Sequence, residues 1–224
     1  SNMNQRIKSI VEAATYLFLQ QGYTKTQISH IAKAVGVSVG TIYHDFTGKK
    51  EIMHLILKCT FEPDFINREF DRPITDDLFL GLENDIIAIF EQTGNEFAKH
   101  LTTNAADYNL EALVSDAFDM LSQYAVGCLF IEKNQFDFPF LAEHYKQYRK
   151  SFMETMTQYM ETFTKRGIVR PLKHINLATT MIIEILSWWA MDIHYTSFET
   201  LDISPVTAKE LCMDNIISAY QYKN

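Results

Sequence analysis

The chain has few of the residues that mark several common protein classes. Its 224 residues include only three cysteines, Cys59, Cys128 and Cys212, which are odd in number and widely spaced. They predict neither a disulfide framework nor a zinc site and favour a reducing compartment, so we expect a cytoplasmic protein. We recognise no signal peptide, and no run of about 18 apolar residues could span a bilayer. We therefore do not expect the protein to bind a membrane.

The motifs of common enzyme classes are also missing. The sequence holds no H-E-x-x-H, G-x-S-x-G or G-x-x-x-x-G-K-[ST]. Glu51 and His54 form one E-x-x-H pair, whereas a di-iron bundle needs two such pairs with further glutamates. Asp192 and His194 are two residues apart on a predicted helix and so face different ways. We predict no enzyme, no metal site and no cofactor, and we keep an all-α enzyme only as the least favoured alternative.

The net charge of −8 is unevenly distributed along the chain. Residues 1–50 hold six of the 20 basic residues but only two of the 28 acidic ones. A basic N-terminal part can bind phosphates locally while an acidic remainder repels other polyanions. The length and the apolar fraction of 47% predict a globular protein of one large or two small domains.

Two short apolar faces at helical spacing follow one another near the N-terminus. The first consists of Ile28, Ile31, Ala32 and Val35, and the second of Val39, Ile42, Tyr43 and Phe46. Thr26 and Ser38 precede these faces as candidate helix caps, and Gly36 lies where the first helix should end. Two helices joined by three or four residues with a glycine form the helix-turn-helix pattern. A generic helical hairpin shares this pattern and remains an alternative on pattern alone.

Helical spacing continues on both sides of this pattern. An amphipathic helix over residues 4–21 should pack on the two short helices, and a linking helix follows at about 49–61. After an acidic bend at 62–80, further helices are predicted at about 82–101 (with a possible break near Gly94), 110–130, 140–165, 176–194 and 205–222. No strand alternation is visible. Spacing alone predicts an all-α protein with a three-helix, helix-turn-helix head at 4–50 and a helical body at 62–224.

The chain resembles the TetR/AcrR family of helix-turn-helix transcriptional regulators in the stretch GYTKTQISHIAKAVGVSVGTIYHDFTGKKEI. The resemblance covers about residues 5–60 and rests on matches at fixed spacing, including Gly36-Val37-Ser38 and Gly40-Thr41-Ile42-Tyr43. It departs at Asp45, where the family often has His or Tyr, at Gly48, a weak cap, and at Lys50, where an acid is common.

This resemblance implies how the protein works. We expect a ligand-responsive regulator, most simply a repressor, that binds an inverted-repeat operator in double-stranded DNA as a homodimer. A small, mostly apolar effector would favour a body shape that moves the linking helix and releases the DNA. The alternative from another class is a helical adaptor that kept the fold and lost DNA binding.

The resemblance also assigns DNA recognition to residues 39–45 and their neighbours. The hydroxyl groups of Thr41 and Tyr43 can bond phosphates, and Lys49 can pair with them. Val39 and the Gly40 backbone can contact a thymine methyl group. The full predicted set is Thr26, Ser29, Ser38, Val39, Gly40, Thr41, Tyr43, His44 and Lys49.

Several alternatives stay open within this set. Tyr43 could be a half-buried core residue, and His44 could be a solvated side chain rather than a contact to a base edge. Asp45 is expected to turn away from the DNA. Arg6 and Lys8 could contact phosphates or be solvated.

The body is rich in aromatic residues and methionine, which line adaptable apolar pockets but also fill ordinary cores. The candidate ligand-binding residues are Phe90, Phe118, Tyr124, Phe152, Met156, Tyr159, Met181, Glu184 and Trp188. Glu184 is an acid in the most apolar helix, where burial of an unpaired carboxylate is costly. It should pair across a dimer, bond a buried hydroxyl, be partly exposed, or face a cationic or hydrogen-donating ligand.

The helix predicted at 176–194 is apolar nearly all round, which is typical of a helix buried on several sides. Together with the helix at 205–222 it could form a four-helix bundle between two subunits, as the resemblance also implies. The dimer-interface candidates are Ile182, Ile185, Trp189, Ile193, Leu211, Ile216, Ile217 and Tyr220.

Overall fold

The computed structural model describes residues 2–199 and 201–223. The α-helices are α1 (Asn2–Gln20), α2 (Ile28–Val35), α3 (Val39–Asp45), α4 (Lys49–Phe61), α5 (Leu82–Ala98), α6 (Leu110–Gln123), α7 (Ala125–Lys133), α8 (Pro139–Lys165), α9 (Ile175–Ser187), α10 (Ile193–Tyr195) and α11 (Pro205–Tyr220). In these ranges β-structure is limited to two isolated bridges. The predicted all-α class is confirmed. No helix in the described ranges has both the length and the apolarity to cross a membrane.

The chain forms two compact units. The first contains the residues up to Ile87 together with Val126–Ala142, and the second contains Ala88–Ala125 together with the residues from Glu143 onward. The functional division predicted from the sequence, with a head at 4–50 and a body at 62–224, stays a prediction.

The core of the first unit is built on one face of α1. Ile7, Ile10, Ala14 and Phe18 are fully buried, and their spacing of three and four residues places them on one side of a helix. This side packs against α2 and α4. The short helix α2 is therefore held by packing on α1, and α3 packs on α2, since helices of their length are marginal alone.

The chain between α4 and α5 is not a simple bend. This bridging segment, residues 62–81, contains 3₁₀ helices at Pro63–Asn67 and Asp76–Phe79. Ile74 forms a parallel β-bridge with Phe46, the residue that follows α3. The bend predicted at 62–80 thus contains two 3₁₀ turns and a contact to the end of α3.

The second unit contains a layer in which α6 packs against α9 and α11. In the same unit, aromatic rings of α5 contact aromatic rings of α8. Phe97 lies 5.3 Å from Phe152 and 5.7 Å from Tyr159 between ring centroids, and the Tyr159 hydroxyl donates to the Phe97 carbonyl oxygen at 2.5 Å.

Three predicted helix bounds differ from the structure. The helix α5 runs through Gly94 without a break. The single helix predicted at 110–130 is wrong, because the chain leaves helical geometry at Tyr124 and restarts as α7. The helix predicted at 176–194 changes after α9 into a π-helical turn, Trp188–Asp192.

Candidate nucleic-acid interface

The turn between α2 and α3 is formed by a glycine and a serine cap. Gly36 has φ +85°, a left-handed conformation that glycine adopts without strain, and its N–H donates to Ala32 O at 2.9 Å. Ser38 caps α3 from the position just before it, and its Oγ accepts from the N–H of Thr41 at 3.1 Å. The roles predicted for Gly36 and Ser38 are therefore seen in the structure.

The helix α3 buries one side and exposes the other. Ile42 and the following Phe46 have no exposed surface. Val39 is 40% and Tyr43 is 50% exposed, and Gly40 and His44 are exposed beside them. At 1.5 Å per residue the seven residues of α3 are about 10 Å long, which suits a short helix that enters a major groove.

Thr26 has a different role from the one predicted. It is fully buried, and its hydroxyl donates to Gly22 O at 2.7 Å. The cap position of α2 is occupied by Gln27, whose backbone N–H donates to His30 Nδ1 at 3.2 Å. Both predictions for Thr26, helix cap and DNA contact, are therefore corrected, because its side chain is used inside the first unit.

The remaining predicted contact residues lie on accessible surface. Ser29 and Ser38 are exposed, while Thr41 is half-buried and its Oγ1 lies 2.9 Å from Ser38 Oγ. Lys49 is also half-buried, with its Nζ donating to the Tyr23 carbonyl oxygen at 2.8 Å. Their contact with DNA stays a prediction.

Asp45 ends α3 and turns inward. Its carboxylate is fully buried and accepts two hydrogen bonds from Arg6, at 2.6 Å and 2.7 Å. This pairing raises the pKa of Arg6. A second cation, Arg72, lies 3.4 Å from the same carboxylate. Arg6 therefore forms an ion pair with Asp45, whereas the sequence had left open a phosphate contact or a solvated side chain.

Exposed positive charge remains around α2 and α3. Lys8, Lys25 and Lys33 are exposed, whereas Lys50 forms an ion pair with Asp76 at 3.2 Å. Exposed lysines on these elements can pair with the phosphate backbone of DNA.

Two residues that support this surface were not predicted from the sequence. Arg72 pairs with Asp45, and Asn134 accepts from the N–H of Tyr23 at 2.9 Å. Asn134 is 4% exposed and donates to Phe130 O at 2.9 Å. Both residues are far from their partners in sequence, so no local pattern indicated them.

The candidate ligand-binding residues fall into two groups in the second unit. Phe90, Phe118, Phe152, Met156 and Tyr159 are buried, and Tyr124 is half-buried. In contrast, Met181, Glu184 and Trp188 are exposed along one side of the helix that starts with α9. These three do not line the same interior as the buried residues, and their grouping with them is corrected.

The dimer-interface candidates are also divided. Ile182, Ile193, Ile216 and Tyr220 are buried within the second unit, and they cannot face a partner. Ile185, Trp189 and Ile217 are half-buried, and Leu211 is exposed. Because α9 is apolar nearly all round, its sequence did not show which side packs on α6.

An outward apolar surface exists on the same two helices. Its members are Leu177, Met181, Trp188 and Leu211, which are 43–65% exposed. We call these four residues the outer apolar face. Leu177 was not predicted, although its position one turn from Met181 could have indicated it.

The geometry of the first unit defines a helix-turn-helix protein. Residues 10–56 match the family described as bacterial regulatory proteins, tetR family. The resemblance to the TetR family predicted for the N-terminal head is therefore confirmed over these residues. This family consists of regulatory proteins, which supports the expectation that the chain is not an enzyme.

Individual relatives match the same part of the chain. The transcriptional regulator HbdR of Aromatoleum sp. (strain CIB) is 45% identical over 72 residues, which are 32% of this chain and 31% of HbdR. IcaR of Staphylococcus aureus (strain Newman), a negative regulator of the biofilm operon icaADBC, is 36% identical over 58 residues, 26% of this chain and 30% of IcaR. The chain thus spans about a third of the length of the curated relatives it matches.

A solved structure extends the likeness to nearly the whole fold. The ketosteroid transcriptional regulator KstR2 of Mycobacterium tuberculosis has a TM-score of 0.54 with this chain at 15% sequence identity. The similarity covers 97% of this chain and 96% of KstR2. At this identity the comparison concerns the fold alone.

Proposed function

We propose that this protein is a TetR-type transcriptional regulator that binds an inverted-repeat DNA operator as a homodimer. The observation that carries the proposal is the capped helix α3, which buries Ile42 and Phe46 and exposes Val39, Tyr43 and His44. A short helix with this division can enter a major groove while its inner side is held by the head. Such a regulator acts on the genome, so we place it in the cytoplasm.

The exposed side chains of α3 and its neighbours divide into base contacts and phosphate contacts. Val39 and the uncovered backbone at Gly40 suit contact with a thymine methyl group, and His44 can bond a base edge. The hydroxyl groups of Ser38, Thr41 and Tyr43, with Ser29 on α2, supply bonds to phosphates that fix the register. We leave Thr26 out of the contact set because it is buried.

A second copy of this chain covers the outer apolar face in this proposal. One head makes few base contacts, and two-fold symmetry places two heads about one helical turn apart on DNA, roughly 34–36 Å. A symmetric interface uses the same surface of both subunits. The outer apolar face lies on two adjacent helices, α9 and α11, so two copies give the four-helix bundle that a TetR-type dimer requires.

The effector in this proposal is a small, mostly apolar molecule. Phe152, Met156 and Tyr159 follow one side of α8 and are buried, and the Phe97 ring of α5 lies against Phe152 and Tyr159. Methionine and aromatic side chains rearrange around apolar ligands at little cost. IcaR is a negative regulator, which supports repression as the simplest mode for this chain.

The proposal is tested by selection of bound duplexes from a random-sequence DNA pool with the full chain. We expect enrichment of an inverted repeat, protected over both half-sites in footprinting. A single unrepeated half-site would contradict the dimer. A pool without any enriched sequence would contradict the regulator and favour a helical adaptor.

A further inference from the structure

The bridging segment is attached to the C-terminal end of α3 by its backbone. The N–H of Ile74 donates to Asp45 O at 2.8 Å, and the N–H of Thr47 donates to Ile74 O at 3.1 Å. The Ile74 side chain is 1% exposed. Two backbone hydrogen bonds and a buried side chain thus attach the segment to the residues that end α3.

The same segment contributes a charge to the buried carboxylate of Asp45. Arg6 of α1 donates two hydrogen bonds to this carboxylate, whereas Nε of Arg72 in the bridging segment lies 3.4 Å from it as an ion pair without a hydrogen bond. A buried carboxylate is stable only when it is paired and hydrogen-bonded. The last residue of α3 is therefore held between a helix on one side and the bridging segment on the other.

The far end of the bridging segment is fixed to α4. Asp76 lies 2.5 Å from His54 Nδ1 and 3.2 Å from Lys50 Nζ. Phe79 is buried, with its ring centroid 5.7 Å from that of His54. The bridging segment therefore spans from α4 to the end of α3.

We propose that Arg72 is a positioning residue for operator recognition, which acts by holding Asp45 and thereby the angle of α3. This inference rests on the function proposed above. The Arg72 side chain is only 10% exposed and is directed at Asp45, so it acts through α3 rather than on DNA. Its loss lets the C-terminal end of α3 shift, and with it Tyr43 and His44.

The expected consequence is a loss of sequence discrimination rather than of general DNA affinity. Hydrogen bonds to base edges depend steeply on distance and angle, whereas attraction between lysines and phosphates does not. A small rotation of α3 therefore weakens binding to the operator and leaves binding to unrelated DNA nearly unchanged.

The test compares two variants of the full chain, Arg72→Gln and Arg68→Gln. Arg68→Gln is the matched control, because it removes the same charge from the same segment. Arg68 is exposed, and its guanidinium lies 4.8 Å from the Phe65 ring centroid. Each protein is titrated by fluorescence anisotropy with the operator duplex selected by the unaltered chain and with a scrambled duplex of equal length. Circular dichroism gives the folded fraction, and titrations at several salt concentrations give the salt slope.

For Arg72→Gln we expect about a tenfold loss of operator affinity, the size of one weakened base contact. Affinity for the scrambled duplex and the salt slope should equal those of Arg68→Gln. Equal operator affinities of the two variants would overturn the inference. A parallel loss on both duplexes with a salt slope smaller by about one would also overturn it, because Arg72 would then be a phosphate contact.

A conservative variant covers the case in which Arg72→Gln does not fold. Arg72→Lys keeps the charge but replaces the planar guanidinium by a compact ammonium on a different stem, so the 3.4 Å ion pair with Asp45 is not reproduced. It should lose operator affinity several-fold with an unchanged salt slope, and full operator affinity would overturn the inference. Failure of the unaltered chain to select any operator is a separate result, which concerns the proposed function and not the role of Arg72.

Discussion

Lys49 Nζ donates to the carbonyl oxygen of Tyr23 at 2.8 Å and lies 4.2 Å from the centroid of the Tyr23 ring. Desolvation by burial lowers the pKa of Lys49. The start of α4 is thereby held to the turn that follows α1. An ammonium group has three donors, so this bond leaves donors for phosphate oxygens.

The variant Lys49→Met separates these two roles. Without the charge, affinity for the operator and for unrelated DNA should fall by similar factors, and the salt slope should decrease by about one. The loss of a charged hydrogen bond to Tyr23 should also lower the free energy of unfolding by about 1 kcal/mol. Anisotropy titrations and urea unfolding measure the two effects. Lys173→Met, at an exposed site of the second unit, should change neither, and a loss confined to the operator would contradict a phosphate contact.

The hydroxyl of Tyr43 should matter for DNA and not for stability. Tyr43 is 50% exposed, and its hydroxyl forms no hydrogen bond within the described residues. We therefore expect Tyr43→Phe to keep the unfolding midpoint and to lose about tenfold in operator affinity, because one hydrogen bond to a charged phosphate is removed. Tyr16→Phe is the matched control, since Tyr16 is 63% exposed on α1. An unchanged operator affinity of Tyr43→Phe would remove it from the contact set.

Much of the head was predictable because its signals are local. Ile31 and Ile42 recur at helical spacing with their neighbours, and Gly36 and Ser38 determine the turn through their own backbone and side-chain chemistry. Thr26 shows the limit of such signals. A hydroxyl before a helix can cap it or bond elsewhere, and only the packing of α1 on α2 decides between them.

The partners of Asp45 were not predictable. Arg6 and Arg72 are 39 and 27 residues away along the chain, and no periodicity connects them. The buried side of α9 was not predictable for a different reason. Ile182 and Met181 are equally apolar, so the pattern could not tell that the first is buried and the second is 61% exposed.

The ion pairs of Asp76 predict a pH dependence of stability. Burial alone would raise the pKa of Asp76, but the hydrogen bonds and charges of His54 and Lys50 outweigh it, so the pKa lies below its usual value. A carboxylate with a lowered folded-state pKa stabilises the fold above its unfolded pKa of about 3.9. This stability is lost as pH falls through the folded-state pKa.

The measurement is urea unfolding of the unaltered chain and of Asp76→Asn from pH 6 down to pH 2. We expect the unaltered chain to be more stable above about pH 4, with the difference shrinking as the carboxylate is protonated. Asp77→Asn, at the exposed neighbouring position, should show no such trend. A difference between the unaltered chain and Asp76→Asn that is constant over this range would contradict the role of the ion pairs.

The outer apolar face should determine the oligomeric state. Trp188 is 43% exposed and lies on the same side of its helix as Met181 and Glu184. In a symmetric dimer, Trp188→Asp would bury an additional carboxylate near its symmetry mate and near two copies of Glu184, which costs several kcal/mol. We expect this variant to sediment as a monomer at micromolar concentration, to remain folded, and to lose most of its operator affinity because each head then binds alone. Phe136→Asp changes an equally apolar side chain, 92% exposed in the first unit, and should remain a dimer. A Trp188→Asp protein that still sediments as a dimer would show that the subunits meet through another surface.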